Sequence, residues 1–357
     1  VNGTKVKVFL LLGQSNMEGS GHVSHLKQLA KESPDFYKYW DKTANDFSTR
    51  SDVRITSNRE FGEAADLSVG YGFENPKDKF GPEIGFGWTM QDELQEEQIL
   101  IIKCAKGGTH LGVEWQSPRM KQFNPDGYST PGGRSFPQKK YGEMWDMTLT
   151  MVWDVVMDPM KYLPGVETID GIEIAGVVFF QGWNDAFHDG LRNDYQNNLR
   201  YFITDILSTF GRTNEKPLPV IIGELGQEGD TPTIEKVEKI KMSQKIAIRE
   251  LNRKNVVLAK TSPYVYNGAP DLDEGIHHYW GHADTIISIG TAFGQATLWA
   301  MGYTEAPTPR PSRAPSISSL PTASLPPSAS PSNFPTELPT ELPTKLPTKL
   351  PTELPTE

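Results

Sequence analysis

A serine follows directly after an apolar run near the start of the chain. Residues 6–12 read VKVFLLL, which is typical of a buried strand, and Ser15 lies in the GQSNM segment that comes next. A serine at the carboxyl end of a strand stands where α/β sheets place reactive groups. The N–H groups of a following helical turn could stabilise an oxyanion, although a helix-capping serine is the structural alternative. The Gly-x-Ser-x-Gly elbow is absent, because Met17 occupies its last position.

Two further segments with hydrogen-bond donors also follow apolar runs. Residues 106–110, KGGTH, come after an apolar run at 99–103, and residues 181–185, QGWND, come after one at 176–180. The glycine pair allows close backbone approach and exposes N–H groups, and the Asn184 amide can donate to a developing negative oxygen. Each segment alone also fits an ordinary turn.

A late segment supplies a base and several acids. Residues 271–280, DLDEGIHHYW, place carboxylates three to four residues before a histidine pair, His277 and His278. A serine hydroxyl is a weak nucleophile and needs a base, best provided by a histidine that a carboxylate holds in one tautomer. A metal site of this pair with His282 and the carboxylates is the competing interpretation. We expect no metal there, because adjacent loop histidines point apart and the sequence has neither an HExxH helix nor a cysteine cluster.

The rest of residues 1–305 predicts the scaffold for these segments. Short apolar runs alternate with helical stretches, which indicates an α/β fold with a parallel central sheet covered on both faces. Two stretches of low periodicity, 20–80 and 106–145, are expected to be loops that shape a site at the carboxyl ends of the strands. The predicted strands cover 6–12, 99–103, 176–180, 219–223 and 256–260, and the predicted helices cover 83–94, 149–157, 195–210, 233–252 and 282–301.

The charge of the chain argues against some classes of partner. The formal net charge is −10. Residues 306–357 contain four Lys or Arg and four Glu, so the acidic excess belongs to residues 1–305. Nucleic acids and anionic membranes are usually met by clustered Lys and Arg. We therefore expect neither as a partner, and no apolar run reaches the roughly 18 residues that a membrane span needs.

A change of composition separates a domain at 1–305 from a tail at 306–357. The tail is rich in Pro, Ser, Thr and Leu, holds 14 of the 28 prolines, and ends in PTEL and PTKL repeats. Proline at every fourth position prevents helix and sheet formation, so the tail is predicted to be disordered and extended. Its Ser/Thr/Pro composition is typical of an O-glycosylated stalk. We therefore expect a secreted or cell-surface protein, which the tail could attach to a cell wall or matrix.

Four residues occur in the order that names a known superfamily: Ser15, Gly108, Asn184 and His278. The chain resembles the SGNH hydrolases and, more narrowly, their sialate O-acetylesterase branch, carbohydrate esterase family 6. The shared segments are GQSNM, GPE-x-GFG at 81–87, GGT, and a late histidine followed by an aromatic residue. The resemblance covers most of 1–302 and implies a three-layer α/β/α sandwich of the SGNH or flavodoxin-like type.

The resemblance also implies a mechanism without a cofactor. Ser15 would attack the ester carbonyl, and His278 would shuttle its proton. The oxyanion would be held by the backbone N–H groups of Ser15 and Gly108 and by the Asn184 side chain. His278 fits the family pattern better than His277, because an aromatic residue follows it.

The acid of this triad departs from the superfamily spacing. That acid lies three residues before the histidine, a position that Gly275 occupies relative to His278. The candidates are Glu274, which we predict, Asp273 and Asp271. Alternatively His277 is the base, since Glu274 precedes it by three residues.

The leading functional hypothesis is a carbohydrate O-acetylesterase, a serine carboxylic-ester hydrolase that acts on acetylated sugars or polysaccharides through an acyl-enzyme. A lipid or short-chain ester hydrolase with the same triad is one alternative, and a non-catalytic surface glycoprotein that binds carbohydrate is another. The segment QGWND stands where the branch commonly has QGExD, which argues against strict sialate specificity. The expected substrate-binding residues are Gln14, Gln181, Trp183 and His110. Trp115 could also line the sugar site, with core packing as the alternative for both tryptophans.

Overall fold

Strands and helices alternate along most of the chain. The computed structural model describes residues 4–41, 43–59, 62–73, 78–95, 97–129, 135–211, 216–227, 231–265 and 272–303. The strands are β1 (Thr4–Gly13), β2 (Gly21–His22), β3 (Trp40–Asp41), β4 (Asp46–Phe47), β5 (Arg50–Ser57), β6 (Ala65–Leu67), β7 (Lys79–Phe80), β8 (Gln98–Ala105), β9 (Ile169–Phe180), β10 (Val220–Gly223) and β11 (Val256–Ala259). The helices are α1 (Ser15–Glu18), α2 (Val23–Glu32), α3 (Glu83–Glu93), α4 (Pro118–Phe123), α5 (Glu143–Met157), α6 (Pro159–Tyr162), α7 (Trp183–Ala186), α8 (Asp189–Phe210), α9 (Thr231–Leu251) and α10 (Ala283–Met301). Short 3₁₀ turns cover Pro34–Tyr39, Gln138–Lys140, Ser262–Tyr264 and Ile276–Gly281.

Seven of these strands form one central sheet, in the order β11-β10-β9-β1-β8-β5-β6. Its neighbouring strands are parallel, except that β6 runs antiparallel to β5. The continuous apolar run of β1 lies near the middle of the sheet, where residues 8–12 are completely buried. Such runs form central strands because both of their faces are covered. The predicted α/β class with a mostly parallel sheet is confirmed.

Helices cover the two faces of the sheet. Successive side chains of a strand point to opposite faces. Phe179 of β9 packs against Phe202 of α8, with ring centroids 4.4 Å apart, whereas Phe180 packs against Phe293 of α10 at 5.2 Å. Burying each of these rings contributes about 1.5–3 kcal/mol to folding. The sheet is therefore the middle of three layers.

Two glycines bring α3 and α10 into backbone contact. A Cβ atom at Gly85 would lie 2.1 Å from the carbonyl oxygen of Ile287, and one at Gly290 would lie 2.0 Å from that of Pro82. A side chain at either position would push the helices apart. Gly85, the middle glycine of the GPE-x-GFG segment, therefore has a packing role.

The expectation of a loop over residues 20–80 is wrong. This stretch contains α2, and it adds β5 and β6 to the central sheet. In β5 the buried apolar residues Val53 and Ile55 stand among charged and hydroxyl residues, so the apolar signal that marks a strand is weak. Helices α5 and α8 also begin six residues earlier than predicted, at Glu143 and Asp189.

The predicted tail lies outside the described residues, which belong to the compact unit Val1–Ser312. Its disorder and the boundary at residue 305 remain predictions. Within the described part of the chain, no helix combines the length and the apolar character that crossing a bilayer requires.

Candidate active site

Three adjacent strands end side by side and deliver three of the predicted residues to one edge of the sheet. Ala105 at the end of β8 and Phe180 at the end of β9 both lie opposite Gly13, the last residue of β1. The residues that follow these strand ends within two to four positions are Ser15, Gly108 and Asn184. The register of the sheet therefore brings together segments that are far apart in the sequence.

Ser15 is the first residue of α1, and its neighbour Gln14 occupies the capping position in an extended conformation. The helix-cap interpretation of Ser15 is therefore wrong. The first N–H groups of a helix have no acceptor within it, so the N–H of Ser15 suits an oxyanion. The side chain is nearly buried, at 6% exposure.

Gly108 has the backbone conformation that its predicted role requires. Its φ is +74°, in the left-handed region that favours glycine. A Cβ atom at Gly108 would meet nothing within 4 Å, so this residue faces open space. Its backbone can therefore approach a bound ester without steric conflict.

Three hydrogen bonds fasten the Gly108 loop to the Asn184 loop. The Asn184 and Gln181 side-chain amides both donate to the Thr109 carbonyl, at 3.1 and 3.2 Å. The Leu111 N–H donates to Asp185 at 3.1 Å, and burial raises the pKa of that carboxyl above its usual value. An amide group has two hydrogens, so Asn184 keeps one for an oxyanion.

Gln14 and Gln181 are framework residues of the site. Both are completely or almost completely buried. The Gln14 side-chain oxygen accepts from the N–H groups of Gly182 and Asn184, at 3.1 and 3.4 Å. Gln14 holds the loop after β9 against the loop after β1, and Gln181 holds it against the loop after β8. Direct contact of either residue with substrate stays a prediction.

His278 and Glu274 form a hydrogen-bonded pair. His278 Nδ1 lies 3.3 Å from Glu274 Oε2. The other carboxylate oxygen lies 2.5 Å from Lys79 Nζ and 3.2 Å from His22 Nε2. A proton on Nδ1 leaves the Nε2 lone pair of His278 for a serine hydroxyl.

Glu274 and His278 are buried, whereas the described alternatives are exposed. Asp273 is exposed, and Asp271 lies outside the described residues. His277 is exposed, and its ring lies 6.0 Å from that of Trp183. The choice of Glu274 with His278 remains a prediction, to which the hydrogen bond between them lends support.

The turn that carries His278 is strained and firmly anchored. Tyr279 and Trp280 adopt left-handed φ angles of 55° and 53°, which cost on the order of 1–3 kcal/mol each for such residues. Tyr279 is fully buried, and its hydroxyl accepts from the Gly226 N–H at 3.1 Å. Tyr279, which served as a family marker in the sequence, thus fixes the position of the preceding imidazole.

Contacts join helix α1, the Gly108 loop and the turn that carries His278. Cα atoms of α1 and of the Ile276–Gly281 turn approach within 8 Å. The Phe73 ring lies 5.1 Å from the His278 ring, and a Cβ atom at Gly107 would lie 2.5 Å from Phe73 Cε2. The same ring therefore touches both His278 and the loop that holds Gly108.

Burial controls the protonation of the pair. Burial and the adjacent His277 lower the pKa of His278 to about 4, which the Glu274 carboxylate opposes only in part. Burial alone would raise the pKa of Glu274, but hydrogen bonding and charge from Lys79, helped by His22, bring it below its ordinary value. At neutral pH the pair is a neutral imidazole beside a carboxylate, as a general base requires.

We expect the acid limb of the pH profile of ester hydrolysis to follow this lowered pKa. A general base must be unprotonated, so kcat/KM should stay near its plateau down to about pH 5 and fall below it as His278 takes up a proton. Direct measurement of acetate release between acidic and neutral pH would check this. An acid limb near 6.5, the ordinary pKa of a histidine, would contradict it.

A buried carboxylate that the sequence analysis missed holds the Gly108 loop. Glu18 is 4% exposed, and its Oε2 accepts from the Gly107 N–H at 2.6 Å. Its Oε1 accepts from the Arg59 guanidinium at 2.7 and 3.1 Å. A charged residue directly after GQSNM was the available signal, whereas nothing local marked Arg59 as its partner.

We expect Glu18→Gln to lower kcat by about tenfold or more, because a charged hydrogen bond contributes roughly 1.5–3 kcal/mol. KM should change little, since the oxyanion donors act mainly in the transition state. Glu143→Gln is the matched control: it removes the exposed partner of Lys106 on the same loop and should stay within about twofold. Equal kcat in both variants would contradict a positioning role for Glu18.

The predicted sugar-site residues separate into two groups. Trp115 is completely buried and packs against Phe179 and Phe202, so of its two interpretations core packing holds. Trp183 and His110 remain accessible beside the donor loops. Burial would lower the pKa of His110, but its hydrogen bond to Glu114 and the charge of Asp185 raise it overall.

Comparisons with known proteins identify the family and a similar fold. Residues 5–277 match the family model described as carbohydrate esterase, sialic acid-specific acetylesterase. An X-ray structure of an Arabidopsis thaliana protein is 18% identical with a TM-score of 0.51, covering 84% of this chain and 100% of that one. A carbohydrate acetylesterase from Xanthomonas citri is 14% identical with a TM-score of 0.49, covering 83% and 57%. At these identities the likeness to the Arabidopsis structure concerns the fold alone. No curated protein sequence matches the chain.

Proposed function

Because the chain belongs to the family of carbohydrate esterases described as sialic acid-specific acetylesterases, we propose that it hydrolyses acetyl esters of carbohydrates with Ser15 as the nucleophile. The observation that carries the proposal is the Glu274–His278 hydrogen bond on a turn that contacts α1. His278 takes the Ser15 proton as the hydroxyl oxygen bonds to the ester carbonyl carbon. The N–H groups of Ser15 and Gly108 and the Asn184 amide hold the oxyanion.

Collapse of the tetrahedral intermediate expels the sugar alkoxide, which receives the proton from His278. A water molecule then attacks the acetyl-enzyme by the same route, with His278 again as base, and acetate leaves. Glu274 stabilises the imidazolium in both halves of the reaction. Apart from that water molecule, side chains and backbone N–H groups of the protein carry out these steps.

The family is described as one of acetylesterases, which favours an acetyl ester over a fatty acyl ester as the substrate. Ser15 and His278 are 6% and 8% exposed, so little of either residue is open to bulk solvent. The composition of the tail supports a location outside the cell, where acetylated polysaccharides occur.

Acetate release tests the proposed function. The panel should contain O-acetylated sialic acid, acetylated xylan and nitrophenyl esters of acetate and of a long-chain acid. We expect release from acetylated carbohydrate and a strong preference for the acetate ester. Preference for the long-chain ester would favour the lipid hydrolase alternative. Absence of any hydrolysis above the Ser15→Ala background would favour the non-catalytic one.

A further inference from the structure

Three side chains that can bind metals converge at the start of α10, and none of them belongs to the proposed catalytic residues. His25 lies on α2, His282 directly precedes α10, and Asp284 lies in the first turn of α10. One potential ligand atom of each lies within 4.8 Å of the other two, and this is the only group of at least three such side chains that the described residues contain. The two imidazole rings are 5.0 Å apart at 81° to each other. His282 thus groups with His25 and not with the His277–His278 pair that the competing metal interpretation invoked.

The carboxylate of this cluster has unused bonding capacity. Asp284 Oδ1 is shielded from solvent and accepts no hydrogen bond within the described part of the chain. A buried acceptor without a donor is unfavourable. The Nδ1 atom of His282 lies 3.8 Å from this oxygen, beyond hydrogen-bonding distance. A cation between these atoms would satisfy the oxygen.

The imidazoles offer matching donors. His25 Nδ1 accepts from the Ala283 N–H at 3.2 Å, so its lone pair is directed at the start of α10. A metal ion would compete with that N–H for the lone pair, and the positive end of the helix dipole would repel it. The negative charge of Asp284 offsets both effects. His282 is 7% exposed and fixed by packing, whereas His25 and Asp284 are partly exposed. Small movements of these two side chains can shorten the separations to the roughly 3.3 Å that zinc–ligand bonds of about 2.0–2.1 Å require.

We propose that His25, His282 and Asp284 bind one divalent transition-metal ion of the zinc type. Two imidazole nitrogens and a carboxylate oxygen form a donor set that Zn²⁺ favours, and water completes the tetrahedron. The ion joins α2 to the start of α10, directly after the turn that holds His278. It cross-links the folded chain and takes no part in ester hydrolysis, so the site is independent of the proposed function.

Calorimetric titration with ZnCl₂ tests the site on the untagged full chain after treatment with a chelator. We expect one ion per chain and a rise in Tm with zinc concentration, because an ion that binds only the folded state stabilises it. His25→Gln and Asp284→Asn should each weaken binding at least about tenfold. Asp146→Asn is the matched control, because it removes an exposed acid from the first turn of α5. It should bind zinc like the wild type, and so should Ser15→Ala.

Zinc affinity that is unchanged in both cluster variants would overturn the proposal, as would the absence of zinc binding by the wild-type chain. Anomalous diffraction at the zinc edge from soaked wild-type crystals provides a readout that does not depend on the folding of any variant. A peak between His25, His282 and Asp284 supports the site. A peak only at the His277–His278 pair assigns the binding to the catalytic turn and refutes the proposal.

Discussion

Ser15→Ala protein is expected to hydrolyse acetyl esters at least about 10⁴-fold more slowly than the wild type, in kcat/KM. The physical reason is the loss of the atom that forms the acyl-enzyme. The remaining oxyanion donors still bind the substrate carbonyl, so a residual rate above that in water should persist. KM should change much less than kcat.

A second serine of the same segment provides the control. Ser20 is also buried, at 1% exposure, and its hydroxyl has no hydrogen-bond partner within the described part of the chain. Ser20→Ala should therefore stay within about twofold of the wild type. A fluorophosphonate probe should label the wild-type chain on the peptide that contains Ser15. Wild-type activity in folded Ser15→Ala protein would exclude the mechanism.

The adjacent histidines are expected to differ by about three orders of magnitude in their effect on the rate. His278→Ala should lower kcat/KM by about 10⁴-fold, because it removes the base that Glu274 orients. His277→Ala should lower it by less than about tenfold, because this exposed ring contacts Trp183 at the rim. Each variant is the control for the other, since both replace one imidazole of the same turn.

The pH profile of His277→Ala adds a signature that a structural role would not produce. Burial is the larger cause of the lowered pKa of His278, and the neighbouring His277 is the next. Removing His277 should therefore raise the pKa of His278 and move the acid limb of kcat/KM to higher pH. If the losses of activity were reversed between the two variants, His277 would be the base and Glu274 would stand three residues before it.

The sequence by itself determined the sheet and the residues at its edge. The central strands are buried on both faces, so each contains a mostly apolar run. Such a run can be recognised in a window of a few residues. The candidate catalytic residues follow those runs directly. The ends of the predicted strands therefore indicated that Ser15, Gly108 and Asn184 would lie at one edge of the sheet. The first strand shows this best, because its predicted range 6–12 lies within the observed Thr4–Gly13.

Edge strands and inserted segments gave no such signal. In β5 the apolar residues alternate with charged ones, and β6 has three residues, so the sequence predicts a loop for both. His22 on β2 and Lys79 on β7 come from the same stretch, and both bind the Glu274 carboxylate. Nothing in their local sequence indicates a partner some two hundred residues away.

Only the tertiary structure decided which groups pair within the site. A spacing rule of three residues leads from His278 to Gly275, but the carboxylate that lies 3.3 Å from the imidazole belongs to Glu274, with the left-handed Gly275 between the two residues. Likewise, Glu18 reaches the Gly107 N–H because β1 and β8 end in register. The pattern of apolar residues in the sequence indicates which side chains are buried, because hydrophobicity is a property of each residue by itself. Hydrogen bonds and ion pairs depend on distances of a few ångströms between remote segments, and those distances exist only once the chain has folded.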